Sequence, residues 1–267
     1  MIKLIVSDMD GTLLNQKGKI DKEFFEVFKK LMEMDIKFVV ASGRQYYKLI
    51  ANFEDVSNNI IYIAENGTMV VYKGEELYSV VINKRYVEEI IRDCKDIPGV
   101  FLVLCGKNSA YIINPPSEDV LAEVEKYYAR YTIVDNLENI EDEVIKIAVL
   151  DTKGASSNSN KYLYPKWKDK IAVSVSGEIW LDLYNKEANK GIALKLIQDK
   201  FKITKEETMV FGDYFNDVEM LKEAYYSYAM ENAPDGVKKH ANFIASSNTE
   251  KGVIKAIKEN IFSNKIL

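Results

Sequence analysis

The chain has 267 residues, 47% hydrophobic and 29% charged, an ordinary folded composition that excludes disorder, a collagen-like repeat and a coiled-coil rod. Lys and Arg number 36 against 41 Asp and Glu, and the net charge of −5 offers no basic field for nucleic acid. A single histidine, His240, excludes a three-histidine metal centre and an HExxH site, so carboxylates, hydroxyls, lysines and a metal remain as the available chemistry.

Residues 2–6 are a short apolar segment with Lys3 as its only charge, and read as a buried strand. Over 22–34, Phe24, Phe25, Val27, Phe28, Leu31 and Met32 recur at helical spacing between Lys and Glu. Residues 36–41 form a second strand, 45–53 a helix and 60–64 a third strand. Strand, helix, strand, helix, strand implies right-handed crossovers and a parallel sheet. Segments 68–72 and 77–82 flank Lys73-Gly74-Glu75-Glu76 and read as a hairpin.

The texture then changes. Residues 86–96 and 118–131 read as helices, and 100–104, 110–113, 144–150, 171–175 and 179–183 as strands. Short turns such as Gly106-Lys107-Asn108 and Ser176-Gly177-Glu178 favour antiparallel pairing. The polar run 154–160 has nothing to bury and reads as a flexible surface loop. The first rhythm returns with a helix over 191–201, a strand over 208–211, a helix over 216–224, strands over 227–230 and 243–245, and a helix over 250–260. The division expected is therefore residues 1–83 and 187–267 as one discontinuous domain, with 84–186 inserted into it.

The longest apolar run, residues 100–105, is far short of the roughly 18 residues of a membrane helix, and Asp8 comes too early for a signal peptide. Cys94 and Cys105 match no zinc or redox spacing, so a cytoplasmic location is expected.

The chemistry-bearing residues fall where the strands end, and ligands of open parallel sheets bind beyond the carboxyl ends of the strands. Asp8-Met9-Asp10-Gly11-Thr12-Leu13-Leu14 follows the first strand. In extended backbone Asp8 and Asp10 face the same side, so one carboxylate can attack an electrophile while the other, held protonated, donates to the leaving group. The same residues also suit a plain polar turn, since Asp-Gly is a common turn signal. Ser42-Gly43-Arg44 follows the second strand with a hydroxyl and an unhindered amide suited to an oxyanion. Asn189-Lys190-Gly191 opens a helix and puts a cation beside an N-terminus that already favours anions. In Gly212-Asp213-Tyr214-Phe215-Asn216-Asp217, Asp213 and Asp217 suit a hard divalent cation, or equally a capped helix start. Two carboxylate ligands roughly neutralise Mg²⁺, which leaves Lys190 and backbone dipoles to meet a phosphoryl dianion.

In these four motifs (DMDGTLL, ASGR, NKG and GDYFND) and in the tail AMENAPDGVKKHANFIASSNTEKGV, the sequence resembles the haloacid dehalogenase (HAD) superfamily, within it the Cof-type phosphatases. The resemblance implies a Rossmann-like α/β core, a parallel sheet with helices on both faces, and an inserted α/β cap with an antiparallel sheet over residues 84–186. It implies a Mg²⁺-dependent phosphatase of small soluble phosphomonoesters, sugar phosphates foremost, working as a monomer or homodimer without nucleic acid or membrane. A phosphomutase and a non-catalytic sensor are the alternatives. By the same resemblance Asp8 is the nucleophile that forms an aspartyl-phosphate, and Asp10 the general acid and base. Mg²⁺ is held by Asp8, the Asp10 carbonyl and Asp213, with Asp217 supporting the shell directly or through water. Met9, Ser42, Gly43, Lys190 and Asn216 hold the phosphoryl group. Glu231 stands where the family usually has Gly.

Overall fold

The computed structural model describes residues 1–263. β1 (Leu4–Asp8) is buried along its length and runs into a wide turn, Met9–Leu13. α1 (Lys22–Glu33) starts at Asp21, whose carboxylate accepts from the Glu23 amide. β2 (Lys37–Ala41), α2 (Tyr46–Ile50) and β3 (Ile60–Ala64) follow, then β4 (Met69–Tyr72) and β5 (Glu75–Ser79). The β4–β5 hairpin turns on two residues, Lys73 and Gly74, both at positive φ, rather than the four of the sequence reading.

The middle of the chain holds α3 (Lys84–Lys95), β6 (Val100–Gly106), β7 (Ala110–Ile112), α4 (Glu118–Tyr127), β8 (Tyr131–Ile133), β9 (Val144–Asp151), α5 (Ser159–Trp167), β10 (Ala172–Val175) and β11 (Trp180–Tyr184). The last part supplies α6 (Lys190–Phe201), β12 (Thr208–Gly212), α7 (Val218–Lys222), β13 (Tyr226–Met230), α8 (Asp235–Lys238), β14 (Phe243–Ala245) and α9 (Gly252–Ile257).

The chain divides into two compact units. One comprises Met1–Gly43, Leu49–Tyr78 and the chain from Asn189 onward; the other is Ser79–Ala188 with Arg44–Lys48. The first unit is built on a sheet of order β14-β13-β12-β1-β2-β3-β4-β5, in which β14 through β3 run parallel and β4 turns back against β3. The chain proceeds outward from β1 in one direction through β2 and β3, and in the other through β12, β13 and β14. The order therefore reverses at β1, the topological switch point where such sheets bind ligands. Leu4, Val6, Val39, Ile61 and Val210 pack with Leu194 and Ile197 of α6 and Leu221 of α7. On α1, Phe24 and Phe28 meet Phe38 of β2 edge-on, at 5.1 and 6.0 Å.

The second unit has a sheet of order β10-β11-β9-β6-β7-β8. Leu102, Leu104, Ile147, Val149, Leu181 and Leu183 cover one face and pack against Ile90 and Ile91 of α3 and Leu163 and Trp167 of α5. Its pairs are antiparallel except β7 with β8, which is parallel. β8 lies at the end of the stretch read as one helix over 118–131. That helix stops at Tyr127, and Gln45 bonds the Arg130 backbone through both ends of its amide, at 2.7 and 3.1 Å.

The run 154–160 is organised rather than loose. Asp151, completely buried, accepts from the Lys153 amide, the Asn158 side chain and the Ser159 amide at 3.0, 3.0 and 2.7 Å. That carboxylate anchors the start of α5, a helix the sequence pattern did not suggest.

Candidate active site

Parallel register brings the strand-end motifs together. Asp8 ends β1 opposite Ala41, so Ser42 lies one step beyond, and Ser7 pairs with Phe211, two residues before Asp213. Asp8 is only 6% exposed, Met9 and Ser42 are buried, and Asp10 is exposed. The turn that carries Asp10 closes through the Leu14 amide on the Met9 carbonyl at 2.9 Å. It depends on Gly11, whose φ of +79° suits glycine, and a Cβ there would meet Asp213 Oδ2 at 2.2 Å.

Lys190, the first residue of α6, has no exposed surface. Its ammonium lies between two carboxylates, donating to Asp8 Oδ1 at 2.6 Å and Asp217 Oδ1 at 2.7 Å. The N-cap Asn189 accepts from the Ile192 amide, fixing the helix start behind it. Gly67 (φ +94°) lets the loop after β3 approach the Asn189 backbone, where a Cβ would come within 2.4 Å. Asp217, fully buried, also accepts the Asp213 and Tyr214 amides on Oδ2, at 3.0 and 3.1 Å. Asp213 accepts from Thr12 Oγ1 at 2.8 Å. Asn216 donates to Asn66 Oδ1 at 3.1 Å, and the Asn66 amide donates to the Ser42 carbonyl at 3.0 Å.

Asn66 and Thr12 are the residues sequence reasoning did not single out. The available signals were Asn-Gly at the carboxyl end of the third parallel strand, and a hydroxyl inside the first motif. Asn66 sits at φ +61°, a left-handed conformation that Asn tolerates.

Asp8, Asp213 and Asp217 bring ligand oxygens within 4.8 Å of one another. Three carboxylates against the one Lys190 ammonium leave a surplus of two negative charges, and an all-oxygen donor set suits a hard divalent cation. The electrostatics agree. Burial pushes the Asp8 carboxyl well above the usual carboxylate range, with Asp217 and Asp213 adding to it and Lys190 opposing. Burial likewise raises Asp213 to about 6. Burial pulls Lys190 down, but Asp217 and Asp8 outweigh it and hold its pKa above the ordinary lysine value. This cluster suits a hard divalent cation, and an exposed carboxyl, Asp10, lies two residues beyond Asp8.

The family model for haloacid dehalogenase-like hydrolases matches residues 5–257. The chain is 36% identical to the 5-amino-6-(5-phospho-D-ribitylamino)uracil phosphatase YbjI of Escherichia coli, over 96% of this chain and 95% of that one. The crystal structure of SMU.1108c from Streptococcus mutans superposes with a TM-score of 0.87 at 32% identity, covering 98% of this chain and 100% of that one. The subclass IIB sugar phosphatase BT4131 gives 0.80 at 25% identity, covering 96% and 98%. Among the described residues no helix is long and apolar enough to cross a membrane. The chain belongs to the haloacid dehalogenase-like hydrolases and is a phosphatase, a phosphoric monoester hydrolase of that family.

Proposed function

We propose that this phosphatase depends on Mg²⁺ and cleaves small soluble phosphomonoesters, sugar phosphates foremost, through an aspartyl-phosphate on Asp8. The observation that carries the reading is the Asp8 carboxylate, buried at the switch point of the sheet and held by Lys190 at 2.6 Å, with Asp10 exposed two residues later. Asp8 attacks phosphorus in line and the bond to the ester oxygen breaks, while Asp10 gives that oxygen its proton. Asp10 then takes a proton from water, which attacks the phosphorus of the aspartyl-phosphate and frees Asp8. The Ser42 hydroxyl, the Met9 and Gly43 amides, Lys190 and Asn216 hold the phosphoryl oxygens, which makes the step one of positioning and charge compensation.

Asp8, the Asp10 carbonyl and Asp213 would hold Mg²⁺, which supplies positive charge against the phosphoryl oxygens. Asp217 fixes Lys190 and the Asp213 loop through three hydrogen bonds, and supports the metal shell directly or through water. The inserted segment 84–186 stands where the family has its cap, and substrate choice is assigned to it. A phosphorylated polyol chain, as in the substrate that names the Escherichia coli relative, is the first candidate substrate, with the polyol oxygen as leaving group.

The test is phosphate release from sugar phosphates, nucleotides and an aryl phosphate, with Mg²⁺ and with chelator. Release should require the metal and vanish in Asp8→Asn while the fold persists. Comparable turnover in that variant would overturn the mechanism.

A further inference from the structure

Two asparagines in the tail lie outside the chemistry just described, yet their side chains end on the turn that carries Asp10. Asn232, two residues past β13, donates through Nδ2 to the Gly11 carbonyl at 2.9 Å. Its Oδ1 accepts the Asn248 amide at 3.2 Å, and Asn248 Nδ2 donates to the Leu14 carbonyl at 2.8 Å. The circuit from Gly11 through Asn232 and Asn248 to Leu14 is thus closed by the turn itself, whose Leu14 amide reaches Met9. Asn232 is exposed, so burial does not explain why both ends of its amide are engaged, one on the turn and the other on the Asn248 backbone. The strand ends that supply it are tied together, since the Glu231 amide donates to the Ala245 carbonyl at 2.8 Å.

We infer that Asn232 and Asn248 are positioning residues that aim Asp10. Asp10 has extended backbone angles (φ −79°, ψ 120°) within the turn, so no helical ladder fixes it. The next residue, Gly11, is confined on two sides: a Cβ there would meet Asp213 Oδ2 at 2.2 Å, and its carbonyl, one peptide beyond Asp10, takes the Asn232 amide. Those neighbours restrict the backbone on the carboxyl side of Asp10. The loops after β13 and β14 then have a use. The inference rests on the proposed role of Asp10 as the acid that protonates the leaving group.

An acid that is present but misaimed hurts poor leaving groups most, because they need the proton when the P–O bond breaks. Asn232→Asp keeps the size and the acceptor for Asn248 but faces the Gly11 carbonyl with a second acceptor. Asn248→Ala removes the other half of the circuit. For each, kcat is measured on a sugar phosphate and on a nitrophenyl phosphate, beside Asp10→Asn, and melting is followed in parallel. The expected loss is about 10-fold or more on the sugar phosphate, part of the roughly 10²- to 10⁴-fold a general acid supplies, and under about 2-fold on the aryl ester. Melting temperatures should stay within about 4 °C of wild type. If Asp10→Asn shows the leaving-group split and neither asparagine variant does, the inference fails alone. If Asp10→Asn loses both substrates equally, the acid assignment falls and takes the inference with it.

Discussion

Replacing Asp213 with Asn should stabilise the metal-free protein at neutral pH while it destroys the response to metal. Burial raises the Asp213 carboxyl from 3.8 to about 6, so between those values the folded protein holds a proton that the unfolded chain has released. The favourable contribution is complete below about 3.8 and lost as the pH rises through about 6, which leaves a cost at pH 7. A rise of that size, at about 1.4 kcal/mol per pH unit, gives about 3 kcal/mol, and the partial opening of this side chain to water trims that to about 1–2 kcal/mol. The amide that Asp213→Asn introduces keeps an oxygen for Thr12 Oγ1, the partner of the native carboxylate at 2.8 Å, so the loop need not move. Urea unfolding in chelator, at pH 4 and pH 7, gives the difference between variant and wild type, in which other titrating groups largely cancel. The variant should gain stability on the wild type as the pH rises. With Mg²⁺ added the order reverses, because a ligand at 100 times its Kd stabilises the wild type by about 2.7 kcal/mol and the variant by much less. A variant no more stable than wild type at pH 7 in chelator would refute the electrostatic account.

Lys190→Met should cost about 3–5 kcal/mol in urea unfolding at pH 7, because it strands Asp8 and Asp217 as buried carboxylates without their shared cation. The deficit should shrink toward acid pH as the raised Asp8 protonates; a loss independent of pH would point to packing instead. Asp151→Ala should cost about 1–3 kcal/mol, the value of leaving its amide partners unsatisfied. Burial raises the Asp151 carboxyl, but hydrogen bonds from Asn158 and Ser159 outweigh it and hold the pKa below 3.8, so this contribution is present above 3.8 and disappears as the pH falls below it. Gly11→Ala should abolish turnover and lower stability by more than about 1 kcal/mol, through its positive φ and the clash with Asp213; activity near wild type would show that the turn can relax.

How far the sequence revealed this molecule depends on whether a residue's role follows from its chemical type or from its distant neighbours. The buried strands of the first unit are short unbroken apolar runs, and β3 and β14 begin and end where the pattern places them. Once those ends are known, Asp8, Ser42 and Asp213 are legible as a set, because each alone also suits a polar turn or a helix cap but together they gather at one end of the sheet. α5 was not legible. Its sequence is polar and contains Pro165, and its start is fixed by the Asp151 carboxylate of β9, a contact made only in three dimensions. β8 has three partly or fully exposed residues and exists through its pairing with β7.

The same contrast runs through the active site. Asp8, Lys190 and Asp213 stand out in the sequence only as a set, because charged groups in successive strand-end motifs are more specific together than any one of them alone. Asn66, Asn232 and Asn248 do not, since an asparagine after a strand is ordinary turn chemistry. What sets them apart is the partner each amide reaches: Asn216 lies 150 residues from Asn66, Gly11 221 from Asn232, and Leu14 234 from Asn248. A short motif can therefore announce the groups that react, while the groups that aim them become visible only when the sheet has brought its distant strand ends side by side.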